Sequence, residues 1–175
     1  AQQADLAQWE QMIDVNVTAL VRLTKAFLPP MVSRGSGRIL QIASTAAFQP
    51  GPYLSLYFAT KSLVLSFSEA LSAELRGTGV TVTAYCPGLT RTGFERRLGA
   101  GSGIFDVGLP VARADSVAEA AYSAMMGGKR ISIHGTVNRV LVFLSRWVPR
   151  SWGLGLLRRM IGRKRLCGFA REKPA

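Results

Sequence analysis

Tyr57 and Lys61 stand four residues apart in Tyr57-Phe-Ala-Thr-Lys61, and none of the other three tyrosines has a lysine at that spacing. On a helix, residues i and i+4 share one face. A phenol with an ordinary pKa of about 10 is a poor acid or base near neutrality. A neighbouring ammonium favours the phenolate and lowers that value. The pair could therefore pass a proton to or from an alcohol oxygen. The competing reading is a packed tyrosine beside a solvated lysine, because so short a motif arises by chance. Ser44 closes a β-rich run thirteen residues before Tyr57. Open α/β sheets bind ligands at the carboxyl ends of their strands. Its hydroxyl could hold a carbonyl oxygen beside the Tyr57 hydroxyl, or it could be a turn or cap serine. Asn16 falls inside an apolar stripe, between Ile13 and Leu20. A buried amide there must find partners, in a site or on the local backbone.

The elements that must position these residues follow from periodicity. Leu6, Trp9, Ile13, Val17, Leu20, Thr24 and Phe27 predict a helix over 6–28, which Pro29 and Pro30 stop or kink. Arg38–Ala43 is a strand candidate. A second helix is predicted over 57–75, with Leu63, Phe67, Leu71 and Leu75 as its apolar stripe and Gly77 or Gly79 beyond its end. Val80–Cys86 reads as a second strand, closed by Pro87-Gly88. Residues 89–114 read as a long glycine-rich loop. Ser116 and Glu119 form a capping box for a helix to Met126, and Arg130–Ile133 is a third short strand. Strands separated by helices imply parallel βαβ units with right-handed crossovers. The first helix has no strand before it, so earlier strands are expected to lie outside these 175 residues.

Four stretches in this order resemble the short-chain dehydrogenase/reductase family. They are Trp9-Glu-Gln-Met-Ile-Asp-Val-Asn16-Val, Gly37-Arg-Ile-Leu-Gln-Ile-Ala-Ser44, Tyr57-Phe-Ala-Thr-Lys61 and Cys86-Pro87-Gly88-Leu-Thr-Arg-Thr92. The resemblance implies a Rossmann-like, doubly wound α/β sheet, with its C-terminal part in residues 1–135. It implies NAD(P)(H) as cofactor, with a slight lean to NADP, and a small carbonyl or alcohol substrate. By resemblance Tyr57 is the catalytic acid/base. Lys61 would lower its pKa and bind the nicotinamide ribose. Ser44 would orient the substrate oxygen, and Asn16 would hold a water in a proton relay. Pro87 and Gly88 would line the nicotinamide, with Thr90 and Thr92 near the carboxamide and phosphates. The family's glycine-rich pyrophosphate turn and its Asn-Ala-Gly stretch are missing here. Gly99-Ala-Gly-Ser-Gly103 does not have the G-x-G-x-x-G spacing and fits a substrate loop better.

Charge and composition bound the remainder. The 175 residues are 48% hydrophobic and 18% charged, which excludes a disordered chain and suits one domain. Cys86 and Cys167 form no metal or disulfide pattern, so no metal site and a cytoplasmic setting are expected. No 18-residue apolar run occurs without a charge, so no spanning helix is expected. The net charge of +12 is localised. Residues 1–128 hold ten Lys/Arg against nine Asp/Glu, whereas 129–175 hold twelve against one, Glu172. Residues 136–175 are therefore read as a separate basic tail. Val137, Val140, Leu141, Leu144 and Val148 make one helical stripe, ended by Pro149. Leu154, Leu157, Met160 and Ile161 make another, with Arg158, Arg159, Arg163, Lys164 and Arg165 around it. Residues 137–165 would either lie peripherally on an anionic membrane or fold back over the substrate loop. Nucleic acid is not expected as a partner, since stacking aromatics are not interleaved with the charge. His134 reads as a surface or cap residue. The apolar tail suggests a hydrophobic substrate, and a homo-oligomer is left open. The rival function is a catalytically dead domain that binds membranes through its tail.

Overall fold

A computed structural model describes residues 6–92 and 108–168, with 160–168 as backbone alone. Helix α1 (Leu6–Ile13) runs through a π-helical turn (Asp14–Thr18) into α2 (Ala19–Ser33). Strand β1 (Gly37–Ile42) leads into a 3₁₀ turn (Thr45–Phe48) and α3 (Ser55–Glu74). Strand β2 (Val80–Cys86) follows, then two short strands, β3 (Thr90–Arg91) and β4 (Ala112–Arg113). Helix α4 (Ala114–Met126), strand β5 (Ile131–Ile133) and helices α5 (Thr136–Ser145) and α6 (Arg150–Gly168) complete the chain.

Three strands form a parallel sheet in the order β1-β2-β5. Gly37 lies opposite Val80 and Ile42 opposite Tyr85, while Ala84 lies opposite Ile131. The α/β expectation of parallel strands joined by helical crossovers is met. On one face of β2, Val80, Val82, Ala84 and Cys86 pack against Val64, Leu65, Leu71 and Leu75 of α3 and its end. On the other, Tyr85 packs with Ala121 and Ala124 of α4. This alternation is the period-two pattern of a strand covered on both faces. The turn before β2 is close-packed: Gly79 has φ +77°, and a Cβ there would fall 1.9 Å from the Gly35 carbonyl oxygen. Only glycine combines that conformation with that approach.

The helix predicted over 6–28 continues through Pro29 and Pro30 to Ser33. Packing outweighs the two missing N–H donors. Leu28 and Met31 lie against the α3–β2 core, and the Pro30, Met31 and Val32 carbonyls accept from Arg34, Ser36 and Gly35. The α1–α2 stripe is the less exposed face, with Trp9, Val17 and Leu20 half-buried, but it is only partly covered. Leu6 and Phe27 are exposed, and Thr24 is the buried residue of α2. Thr24 belongs to a polar cross-link of three elements. Gln41 of β1 donates to Thr24 Oγ1 at 3.1 Å, and Ser68 of α3 meets Gln41 Oε1. In α3 it is Val64 and Leu65, not Leu63, that enter the core.

Two further expectations change. The loop at 89–114 contains paired strands, Thr90 opposite Ala112 and Arg91 opposite Arg113. The Gly99–Gly103 run lies outside the described residues. The capping box at Ser116 and Glu119 does not form. Helix α4 starts three residues earlier, with Arg113 as N-cap, and the Ser116 hydroxyl donates to the Arg113 carbonyl instead. A bidentate contact between Arg113 and Asp115 organises that start.

Candidate active site

The carboxyl ends of β1 and β2 are laced together beyond the ladder. Ala43 N–H donates to the Tyr85 carbonyl at 2.8 Å, and Thr45 N–H donates to the Pro87 carbonyl at 2.9 Å. His134 N–H, after β5, donates to the Cys86 carbonyl at 3.1 Å. This edge presents Ser44, Pro87 and Gly88 beside one another.

Ser44 is buried, with 7% of its surface exposed. Its backbone is extended, and its hydroxyl oxygen accepts from Ala46 N–H at 3.1 Å, which starts the 3₁₀ turn. That leaves the hydroxyl hydrogen to be donated onward, and Ser44 is hydrogen-bonded to the Tyr57 phenol. The serine is thus the cap that the sequence offered as one alternative, and the same side chain lies against Tyr57. The intervening loop holds Tyr53 at φ 69°, an uncommon conformation for a non-glycine residue.

Tyr57 lies in the first turn of α3, and Lys61 one turn on. The Lys61 ammonium sits 5.9 Å from the centre of the Tyr57 ring. It donates to the Ile42 carbonyl at 2.9 Å. The helix spacing and the β1 terminus thus fix Lys61 from two directions. Electrostatics here run differently from the sequence expectation. Burial pushes the Tyr57 phenol above its ordinary value, and the Ser44 hydrogen bond opposes this only in part. Burial also pulls the Lys61 ammonium down, against the influence of Cys86. The expected lowering of the phenol by Lys61 does not set the sign, because desolvation of the half-buried ring dominates.

Asn16 is in the π-helical turn, and its Nδ2 donates to Thr60 Oγ1 at 3.1 Å. Thr60 donates in turn to the Tyr57 carbonyl at 2.8 Å. Asn16 thus reaches the backbone of Tyr57 through Thr60, across 44 residues of sequence. A π turn widens the helix locally, and such turns recur at functional sites. Thr60 was not singled out from the sequence. Its place between Tyr57 and Lys61 is the one sequence signal that points to it, and only the structure shows it buried.

Gly88 touches the tail. A Cβ there would come within 2.4 Å of Asn138 Nδ2, in α5. Asn138 is buried and donates to the His134 carbonyl at 2.8 Å. Thr90 donates to the Gly88 carbonyl at 3.1 Å, which tightens the same turn. Thr92 is exposed, at the limit of the described segment. His134, read as a surface or cap residue, is half-buried. Its Nδ1 lies 2.7 Å from the buried Tyr85 hydroxyl. Cys86 is buried on the α3 face of β2, near Ser44 and Lys61, and burial pushes its thiol up to about 12. Among the described residues no group of three His, Cys, Asp or Glu gathers to hold a metal.

Comparison with known proteins places this geometry. The family model for short chain dehydrogenase matches residues 1–102. The chain is 42% identical over 90 residues to dehydrogenase/reductase SDR family member 4 of Bos taurus, covering 51% of this chain and 32% of that protein. It is 46% identical over 89 residues to the NADP-dependent 3-hydroxy acid dehydrogenase YdfG of Escherichia coli, covering 51% and 36%. A short-chain dehydrogenase from Sphingobium yanoikuyae, solved with NADPH, superposes with a TM-score of 0.69 at 33% identity. That match covers 84% of this chain and 57% of the other. The matched stretch thus spans about a third of each of these curated relatives. Since the family model covers more than half of the chain, and spans every candidate site residue from Asn16 to Thr92, the chain belongs to the short-chain dehydrogenase family.

Proposed function

We propose that this chain carries the catalytic half of an NAD(P)-dependent oxidoreductase acting at a carbonyl or alcohol carbon. The observation that carries the reading is the meeting of Ser44, Tyr57 and Lys61 at the carboxyl ends of β1 and β2. The donor set suits the nicotinamide riboside end of the cofactor: an ammonium, two hydroxyls and the tight Pro87-Gly88 turn. No G-x-G-x-x-G turn occurs in these 175 residues, so they offer no such cradle for the diphosphate. The relatives named above for NADP or solved with NADPH support NADP over NAD.

When bound, the nicotinamide supplies or accepts the hydride. The protein's own part is positioning and proton transfer. Ser44, held by Ala46 N–H, directs its hydroxyl hydrogen toward the substrate oxygen. Tyr57 gives its phenolic proton to that oxygen in reduction and takes it back in oxidation. Burial keeps the phenol protonated in the free site, so the resting state is poised as a proton donor. Lys61 has three donors and gives one to Ile42, leaving the ammonium placed for ribose hydroxyls. Asn16 holds the first turn of α3 through Thr60. Helix α5, seated on Gly88 through Asn138, forms one rim of the site, and its apolar character favours a hydrophobic substrate.

Replacing Tyr57 by Phe tests this. Turnover of a hydrophobic ketone with NADPH should fall at least a thousandfold, roughly the span attributed to acid–base catalysis. The thermal unfolding midpoint should stay near that of the wild type. Turnover within a few-fold of wild type would remove Tyr57 from proton transfer.

A further inference from the structure

The two C-terminal helices carry apolar surface that the fold does not use. Helix α5 buries only Asn138 and Val142, four residues apart. The stripe Val137, Val140, Leu141, Leu144 and Val148, read as either lying on a membrane or folding back over the substrate loop, faces solvent. Phe143 and Leu144 are exposed, Trp147 keeps 78% of its surface exposed and Trp152 keeps 73%, and Leu156 of α6 is also open. Aromatic and leucine side chains this exposed and this clustered in sequence mark an interaction surface.

Charge decides what covers it. Arg139, Arg146, Arg150, Arg158 and Arg159 are all exposed beside these apolar residues. Among the described residues the only ion pair is Arg113 with Asp115, so these five arginines meet no acidic side chain among them. Residues 129–175 contain a single acid, Glu172. A partner must therefore bring negative charge and accept tryptophan, phenylalanine and leucine in one surface. An anionic bilayer does both: headgroups meet arginine, and indole rings settle at the boundary with the acyl region. None of the described helices is long and apolar enough to cross a membrane, so the contact is peripheral.

We propose that α5 and α6 dock this protein on an anionic phospholipid surface, and that docking holds the rim of the active site at the lipid boundary. The second clause rests on the proposed function above. Its structural basis is short-range. Helix α5 starts directly after β5, and its first turn presses Asn138 against Gly88. A bilayer that receives Phe143, Leu144 and Trp147 then lies about one and a half to two and a half helical turns from the residue seated on that glycine, about 8–14 Å along the axis. A substrate dissolved in the acyl region would reach the site without crossing bulk water.

The test is co-sedimentation of the intact protein with phosphatidylcholine vesicles, with and without phosphatidylserine, at low and high salt. Binding should require phosphatidylserine and fall with salt, as screened charges must. Changing Arg146, Arg150 and Arg158 together to Gln should weaken partition on the order of a hundredfold, from about 1 kcal/mol per basic residue near the surface. Changing Trp147 and Trp152 to Ser should weaken it by at least tenfold, from the apolar area withdrawn from lipid. All five residues are exposed, so both variants should keep the wild-type unfolding midpoint. Equal sedimentation with neutral and anionic vesicles, or none at low salt, overturns the proposal. So does a concentration-dependent dimer that the Trp variant abolishes without vesicle binding, because a second copy then covers the surface. Sedimentation does not depend on turnover, so loss of lipid binding and loss of the oxidoreductase reading are separate results. If lipid binding holds but vesicles leave the KM for a lipid-soluble ketone unchanged, the siting of the rim fails alone.

Discussion

Gly88→Ala would press the tail helix off the active-site turn. The added Cβ would stand 2.4 Å from Asn138 Nδ2 and 2.9 Å from its Cγ and Oδ1. Ordinary contact begins near 3.4 Å, so the amide must retreat by about 1 Å. It cannot do so freely, because Asn138 is buried and donates to the His134 carbonyl. Overpacking of this kind costs about 1–3 kcal/mol. Loss of the amide-to-carbonyl bond would cost about 1 kcal/mol more. Asn138→Ala alone should cost about 1–2 kcal/mol from that bond and its packing. In the double variant the new methyl meets a truncated side chain, so the two losses should not add. A coupling energy of about 1–2 kcal/mol in favour of the pair is expected for residues in direct contact. The assay is urea unfolding of the four proteins, followed by turnover. Gly88→Ala should also lower turnover, with partial recovery when Asn138→Ala is added. Strict additivity within about 0.5 kcal/mol would refute the argument that α5 is seated on this glycine.

Other outcomes follow from the same geometry. Lys61→Met should abolish turnover and weaken cofactor affinity while the fold survives, checked by fluorescence titration and circular dichroism; unchanged affinity would separate Lys61 from the ribose. The Cys86 thiol, ordinarily near 9 and pushed up to about 12 in the fold, keeps its proton after the unfolded chain has lost its own. Stability from this group is therefore complete below about pH 9 and declines as pH rises toward 12, by up to about 1.4 kcal/mol per unit. Cys86→Ala should flatten that alkaline decline in a pH series of unfolding midpoints. Gln41→Leu removes the hydrogen bonds joining β1 to Thr24 and Ser68 and should cost about 1–2 kcal/mol in denaturant unfolding. A Leu variant as stable as wild type would make that polar cross-link dispensable.

The parallel α/β plan was legible because it rests on local signals. Val80–Cys86 alternates as a strand does, and Tyr57 and Lys61 share a helix face by spacing alone. Ser44 could be placed at a strand end by the same reasoning. These are properties of neighbouring residues, and backbone geometry imposes them wherever the segment folds. Other features depend on groups far apart in the chain. Asn16 and Thr60 meet because a π turn sets one helix against another. Pro29 and Pro30 stay helical because Leu28 and Met31 are held by a core that lies downstream. The sign of the Tyr57 shift follows from how much water the assembled site removes, which the adjacent lysine cannot reveal. The tail shows the division most plainly. Its helices and the break at Pro149 were readable from periodicity. Periodicity did not identify Asn138 and Val142 as the face that α5 buries. A stripe states only which residues resemble each other, whereas burial is decided by the surface that meets them, here Gly88 and the 3₁₀ turn beside Ser44.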